Sequence, residues 1–158
     1  MLFSIGMFKR LIVVTWALWW VIAFLTDFLG AFENLGWASF GWLQNGNYPA
    51  IVQAIAPFDP PSWLSVFLFA GVICWSFLSA VFLSIAALAP SRPRERWMAL
   101  ANIGFVISMA EWFAFLIADQ IVQEYDLEGN HMEQAGVQLL CFIALHILPV
   151  HNEDDRAA

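Results

Sequence analysis

The chain has 158 residues, 61% of them hydrophobic and 12% charged, with a mean hydropathy of +0.72. Soluble domains carry about 25% charged residues, so this composition excludes an ordinary soluble fold. The formal net charge of −7 leaves no basic patch to neutralise phosphates, which argues against nucleic acid as a partner.

At the N-terminus, MLFSIGMFKR places Lys9 and Arg10 directly before LIVVTWALWWVIAFLTDFLGAF. That apolar run is too long for the core of a signal peptide, and no small-x-small cleavage site follows promptly. Residues 11–32 are expected to form a retained first transmembrane helix. Met7, followed by Phe8-Lys9-Arg10, offers an alternative start to Met1.

Residues 33–61 interrupt the hydrophobic run. Asn45-Gly46-Asn47 is turn chemistry, and Pro57, Pro60 and Pro61 rule out one continuous helix. Tyr48 to Ala56 has room for two helical turns with Ile51, Val52 and Ile55 on one side. Trp37, Trp42, Tyr48 and Trp63 suit the headgroup level, where amphipathic rings gather. A packed extramembrane loop is the preferred reading over a ligand lid.

The second span covers residues 63–89, with Asp59-Pro60 as its expected cap and first-turn proline. Ser76, Ala80 and Ser84 recur at i+4, a stripe of small residues that lets another helix approach closely. Cys74 here, and Cys141 further on, are read as small buried hydrophobes and not as a disulfide framework. A basic loop, Pro90-Ser91-Arg92-Pro93-Arg94-Glu95-Arg96, leads onward.

Residues 98–123 form the expected third span, in which Glu111 is the one ionisable side chain between Met98 and Ala118. A helix of about 20 apolar residues crosses the ~30 Å hydrocarbon layer. An ionised carboxylate near its centre costs roughly 2.5–3.5 kcal/mol on insertion scales. Gly104, Ser108, Glu111 and Ala118 share a face, with Phe105, Trp112 and Leu116 on other sides. The small-polar face is expected to point into the bundle.

The fourth helix is expected over residues 131–148, opened by a capping box of Asn130 with Glu133 and ended by Pro149. Residues 149–158 form a solvated tail. The whole chain then reads as one all-α domain, a polytopic membrane protein built as a four-transmembrane-helix bundle. Its six basic residues are Lys9, Arg10, Arg92, Arg94, Arg96 and Arg156. They fall at the N-terminus, in the loop between the second and third spans, or in the tail, which the positive-inside rule assigns to the cytoplasm. The expected location is a bacterial inner membrane, crossed several times, with both termini cytoplasmic.

Counting residues along the spans places Asp27 about 24 Å up the first helix and Glu111 about 18–20 Å up the third, with Asp119 near its outer end. The returning fourth helix brings Gln138 near the depth of Glu111 and Gln134 near that of Asp27. Asp27, Glu111, Asp119, Gln134 and Gln138 are therefore expected to form one polar cluster in the outer half of the bundle. No lysine or arginine lies in the spans to pair with these acids. Glu111 is expected either to be protonated or to meet a partner on another chain. Hydrogen bonding to Gln138 or a serine, pinning helices together, is the preferred role.

Histidines 131, 146 and 151 belong to the fourth helix and its ends, so one chain cannot supply the two facing ligands of a membrane haem. His146 is the candidate for a haem shared with a partner. His131, near Asp119 and Glu124, is the candidate for an outer-surface metal site. No metal or cofactor is expected otherwise, although contact with a lipid, quinone or pigment is compatible with the surface. No phosphate loop, nucleophile elbow or paired-cysteine motif occurs.

FLTDFLGAF in the first helix, the GNYPAIVQAI loop and EWFAFLIADQIVQEY in the third resemble a family of predicted small four-helix bacterial membrane proteins of unknown function. The resemblance covers most of the chain and implies an Asp near the outer end of a Phe-rich first helix, an amphipathic loop and an aromatic third helix. Asp119-Gln120 departs from the family, which carries a Gly-Gly-Glu-like element there. The resemblance implies architecture and no mechanism.

Without a complete catalytic set, the chain is expected not to be an enzyme. Nine tryptophans and fifteen phenylalanines suit a non-catalytic accessory subunit packed against other integral membrane subunits of an energy-converting or oxidoreductase complex. The alternative is a small proton-, ion- or quinone-handling protein using Glu111, Asp119 and Asp27. Labels or proteases are expected to reach the C-terminal tail only from the cytoplasmic face; access from outside overturns this topology.

Overall fold

Among the residues that the computed structural model describes, 4–43 and 46–149, long apolar runs interrupted by Pro and Gly fold into five α-helices, and no strand occurs. The helices are α1 (Ile5–Asn34), α2 (Asn47–Ile55), α3 (Trp63–Leu88), α4 (Arg94–Val122) and α5 (Tyr125–Ile147), with a 3-10 turn over Ala56–Phe58. Three of them, α1, α3 and α4, are long and apolar enough to cross a membrane. α5 has 23 residues, about 35 Å of helix, but its first half, YDLEGNHMEQ, is polar.

In the bundle α1 packs on α3, α3 on α4 and α4 on α5, while α1 and α5 touch little. Val13, Trp16 and Trp20 of α1 meet Leu83 and Ala86 of α3, Phe105 and Trp112 of α4 and Leu145 of α5 in one core. Many other large apolar side chains point outward, including Ile22, Leu88, Ile117 and Leu140. That distribution inverts the soluble pattern and suits hydrocarbon surroundings, where helices associate through packing and polar contacts.

The helix ends explain how the rods stay in register. The last carbonyls of a helix have no intrahelical donor, and cations are favoured near them. Lys9, only 2% exposed, donates from Nζ to the Leu145 carbonyl at 2.6 Å, in the last turn of α5. Arg10 donates to the Ala87 and Ala89 carbonyls at 2.8 Å each, and to Ser91 Oγ at 2.6 Å. Trp97 Nε1 takes the Ala86 carbonyl at 3.0 Å. The start of α1 thus closes the C-terminal ends of both α3 and α5.

Boundaries differ from expectation where tertiary contacts extend a helix. α1 begins six residues before residue 11, with Ser4 as N-cap accepting from the Met7 amide at 3.2 Å. α5 begins at Tyr125, so Asn130 lies inside the helix and accepts from Gln134 at 3.1 Å instead of capping. Gln123, at φ 61°, turns the chain, and a bond from Gln120 Nε2 to Glu128 Oε1 at 2.6 Å holds the added turn against α4. Asp59, at φ 47°, closes the 3-10 turn, and the residue before α3 is Ser62, so Asp59-Pro60 is not its cap.

The loop helix α2 packs on α3, with Ala54 buried, Val52 exposed and the Tyr48 and Phe69 rings 5.4 Å apart. Both cysteines are free, and Cys74 is exposed where a buried position was expected. On α3 the buried positions include Ser76, Ser79, Ala80 and Leu83, with Ser84 half-buried. Gly104 sits against this row: a Cβ there would lie 2.8 Å from Leu83 Cδ2 and 3.1 Å from the Leu83 amide nitrogen. Leu83 is fully enclosed and cannot swing aside. Gly104→Ala is therefore expected to destabilise the bundle by about 1–3 kcal/mol, read as a lower unfolding midpoint in detergent; an unchanged midpoint contradicts the close α3–α4 approach.

Candidate functional site

Glu111 is 1% exposed and faces α3, where Ser76 and Ser79 stand three residues apart on the buried side. Ser76 Oγ donates to Glu111 Oε1 at 2.7 Å, and Ser79 Oγ donates to Oε2 at 3.1 Å. Burying a carboxyl group without partners is strongly unfavourable, and hydroxyl donors on both oxygens offset that cost. The result is a two-point clasp between α3 and α4.

A second polar group joins α4 to α5. Trp112 Nε1 donates to Gln138 Oε1 at 2.6 Å, and Gln138 Nε2 donates to Ser108 Oγ. The Ser108 hydroxyl donates in turn to the Gly104 carbonyl at 2.9 Å. Trp112 also meets the rings of Trp19 and Trp20, at centroid distances of 5.4 and 5.3 Å. It is buried, as is Phe105, although the face count placed both away from the bundle interior. The reason is that α4 lies between α3 and α5 and buries two faces, with Ala118 exposed.

Nearer the other end, Asp119 Oδ2 pairs with His131 Nδ1 at 2.6 Å, and the His131 ring stacks on Phe115 at 4.9 Å. Asp27, buried in α1, accepts from Asn47 Nδ2 of α2 at 2.6 Å, which holds the loop helix against the bundle. Gln134 bonds Asn130 and lies beside Trp16 and Trp19, lower on α1 than Asp27.

The structure therefore distributes the five residues expected in one cluster over separate hydrogen-bonded groups. Glu111 takes its partners from α3, and Gln138 takes its own from α4. Glu111, Gln138, Asp119 and Asp27 are each satisfied by a side chain of a neighbouring helix, whereas Gln134 bonds Asn130 of its own helix. Three partners escaped the sequence reading: Ser79, Trp112 and Asn47. Ser79 was recoverable, since i+3 from Ser76 lies on the same helix face. Asn47 was not, because its contact with Asp27 depends on how the loop folds back.

No group of three or more His, Cys, Asp or Glu among the described residues is placed to hold a metal. His131 is engaged by Asp119, and Glu124 sits at the N-cap of α5. His146 Nε2 bonds Asn102 Oδ1 at 3.0 Å, and its ring meets Phe142 edge-on. His151 and most of the tail, residues 150–158, lie outside the described residues. Trp20 Nε1 is buried without a partner among the described residues.

These features define a protein that is helical throughout its described elements, with three helices long and apolar enough to cross a bilayer and buried polar groups paired across helix interfaces. No family model, curated protein or solved structure matches the chain.

Gln138 links two buried donors and acceptors at the centre of the α4–α5 interface. Gln138→Leu is expected to leave the Trp112 indole N–H unpaired and to cost about 1–3 kcal/mol. Thermal unfolding of the purified variant measures this, and a midpoint equal to the parent's refutes the role.

Proposed function

We propose that this chain is a non-catalytic accessory subunit of a larger bacterial inner-membrane complex of the energy-converting or oxidoreductase kind. In this reading it crosses the bilayer four times with both termini in the cytoplasm. The observation that carries the reading is the enclosure of Glu111: its two oxygens are engaged by serines of the same chain, and almost none of it is exposed. An acid held this way ties helices together and presents no reactive face to a substrate.

Two further features support the reading. Side-chain pairs Asp119–His131, Trp112–Gln138, Phe105–Phe142 and Asn102–His146 run along the antiparallel α4–α5 pair. They favour α5 as a fourth crossing despite its polar first half. Lys9, Arg10, Arg92, Arg94 and Arg96 gather where α1 starts and α3 meets α4, in keeping with a cytoplasmic face. The outward-facing aromatic and aliphatic side chains supply surface for neighbouring subunits.

A second reading, proton, ion or quinone handling, draws on three buried acids, Asp27, Glu111 and Asp119. One pair of measurements separates the two. The accessory reading expects Glu111→Gln to retain the native particle mass, because an amide still accepts from one serine and donates to the other. Glu111→Ala is expected to lose that mass. Liposomes holding this chain alone are expected to show no proton flux above empty vesicles. A particle always recovered as a lone monomer defeats the accessory reading, and flux abolished by Glu111→Gln establishes the second.

A further inference from the structure

Because α1 and α5 touch little, they leave a groove of about 380 Å³ lined by Thr15, Trp16, Trp19, Glu133, Gln134 and Val137. Its size falls in the range of pockets for small organic ligands. The aromatic wall is Trp16 and Trp19, with ring centroids 5.9 Å apart and planes inclined at 55°. Trp19 is held in place by Trp20 at 4.9 Å and Trp112 at 5.4 Å. Indole faces carry negative electrostatic potential and attract cations, most strongly where water is scarce.

The opposite wall carries the charge. Glu133 is exposed and has no hydrogen-bond or ion-pair partner among the described residues. Beside it, Gln134 spends its Nε2 on Asn130, which leaves the amide oxygen as an acceptor toward a ligand. The nearby His131 is tied to Asp119. The lysine and arginines of the described residues sit at the far end of the bundle, so none neutralises Glu133.

A carboxylate, an amide oxygen and two indoles around an apolar space select for positive charge on a bulky, weakly hydrated body. A small hydrated cation gains little from the tryptophans, and a neutral apolar molecule gains nothing from Glu133. We propose that the α1–α5 groove binds a hydrophobic organic cation, a quaternary ammonium or phosphonium group with apolar arms. The proposal goes beyond the accessory-subunit reading and does not rest on it.

The full chain in neutral detergent is tested by equilibrium dialysis with tetraphenylphosphonium, and with tetraphenylborate as an anion of the same shape. Saturable binding of the phosphonium alone is expected. Glu133→Gln should weaken it at least tenfold, while Asp126→Asn, at an exposed position on the same helix away from the groove, should leave it unchanged. Val137→Trp fills the groove with Glu133 intact and should also abolish binding, which covers the case of a Glu133 variant that fails to fold. Displacement by short-chain phosphatidylcholine but not phosphatidylglycerol identifies a lipid headgroup as the source of the cation; no displacement identifies a free cation. Equal binding of tetraphenylborate, or phosphonium binding indifferent to both groove variants, overturns the proposal.

Discussion

The bundle depends on one interaction: the buried Glu111 and Gln138 side chains find hydrogen-bond partners on neighbouring helices. A buried carboxyl or amide left unpaired would carry its desolvation cost. Glu111 meets this demand with Ser76 and Ser79, and Gln138 meets it with Trp112 and Ser108. Because the first group bridges α3 to α4 and the second bridges α4 to α5, α4 becomes the shared rod. Between apolar surfaces, where sliding costs little, such directional bonds specify register better than side-chain packing does. Gly104 reinforces this by letting the α3 backbone come close at the same level.

The basic end of the chain does structural work in the fold. Lys9 and Arg10 occupy carbonyls that the ends of α3 and α5 leave unpaired. This follows from an up-down arrangement that brings two helix C-termini beside the N-terminus of the first helix. Among the described residues, Asp27, Asp119, Asp126 and Glu128 lie toward the other end, and Glu133 lies along the α1–α5 groove.

Much of this was legible from residues alone. The apolar runs located both ends of α3 and the C-terminal ends of α1 and α4 to within two residues. However, α1 starts six and α4 four residues earlier than expected. The antiparallel count set Gln138 beside the level of Glu111. Side-chain partners were harder. The i+4 stripe pointed to Ser84, whereas the buried positions turn toward Ser79 and Leu83. Trp112 was assigned away from the interior because a single-face reading cannot show that a helix has neighbours on two sides. The start of α5 was placed six residues late because Asn130 and Glu133 imitate a cap, while the Asp119–His131 and Gln120–Glu128 bonds that extend the helix join residues of two elements.

The amino-acid sequence by itself determined the helical class, the membrane-suited spans and the presence of an acid that a bundle must accommodate. Hydropathy and helical rise are properties of each segment taken alone, which is why they can be read without coordinates. Only the tertiary structure decided which hydroxyls hold Glu111, that the polar residues separate into distinct groups, and that α1 and α5 part around a tryptophan-walled groove. Those outcomes depend on the tilt, rotation and order of neighbouring rods, and no single segment encodes them.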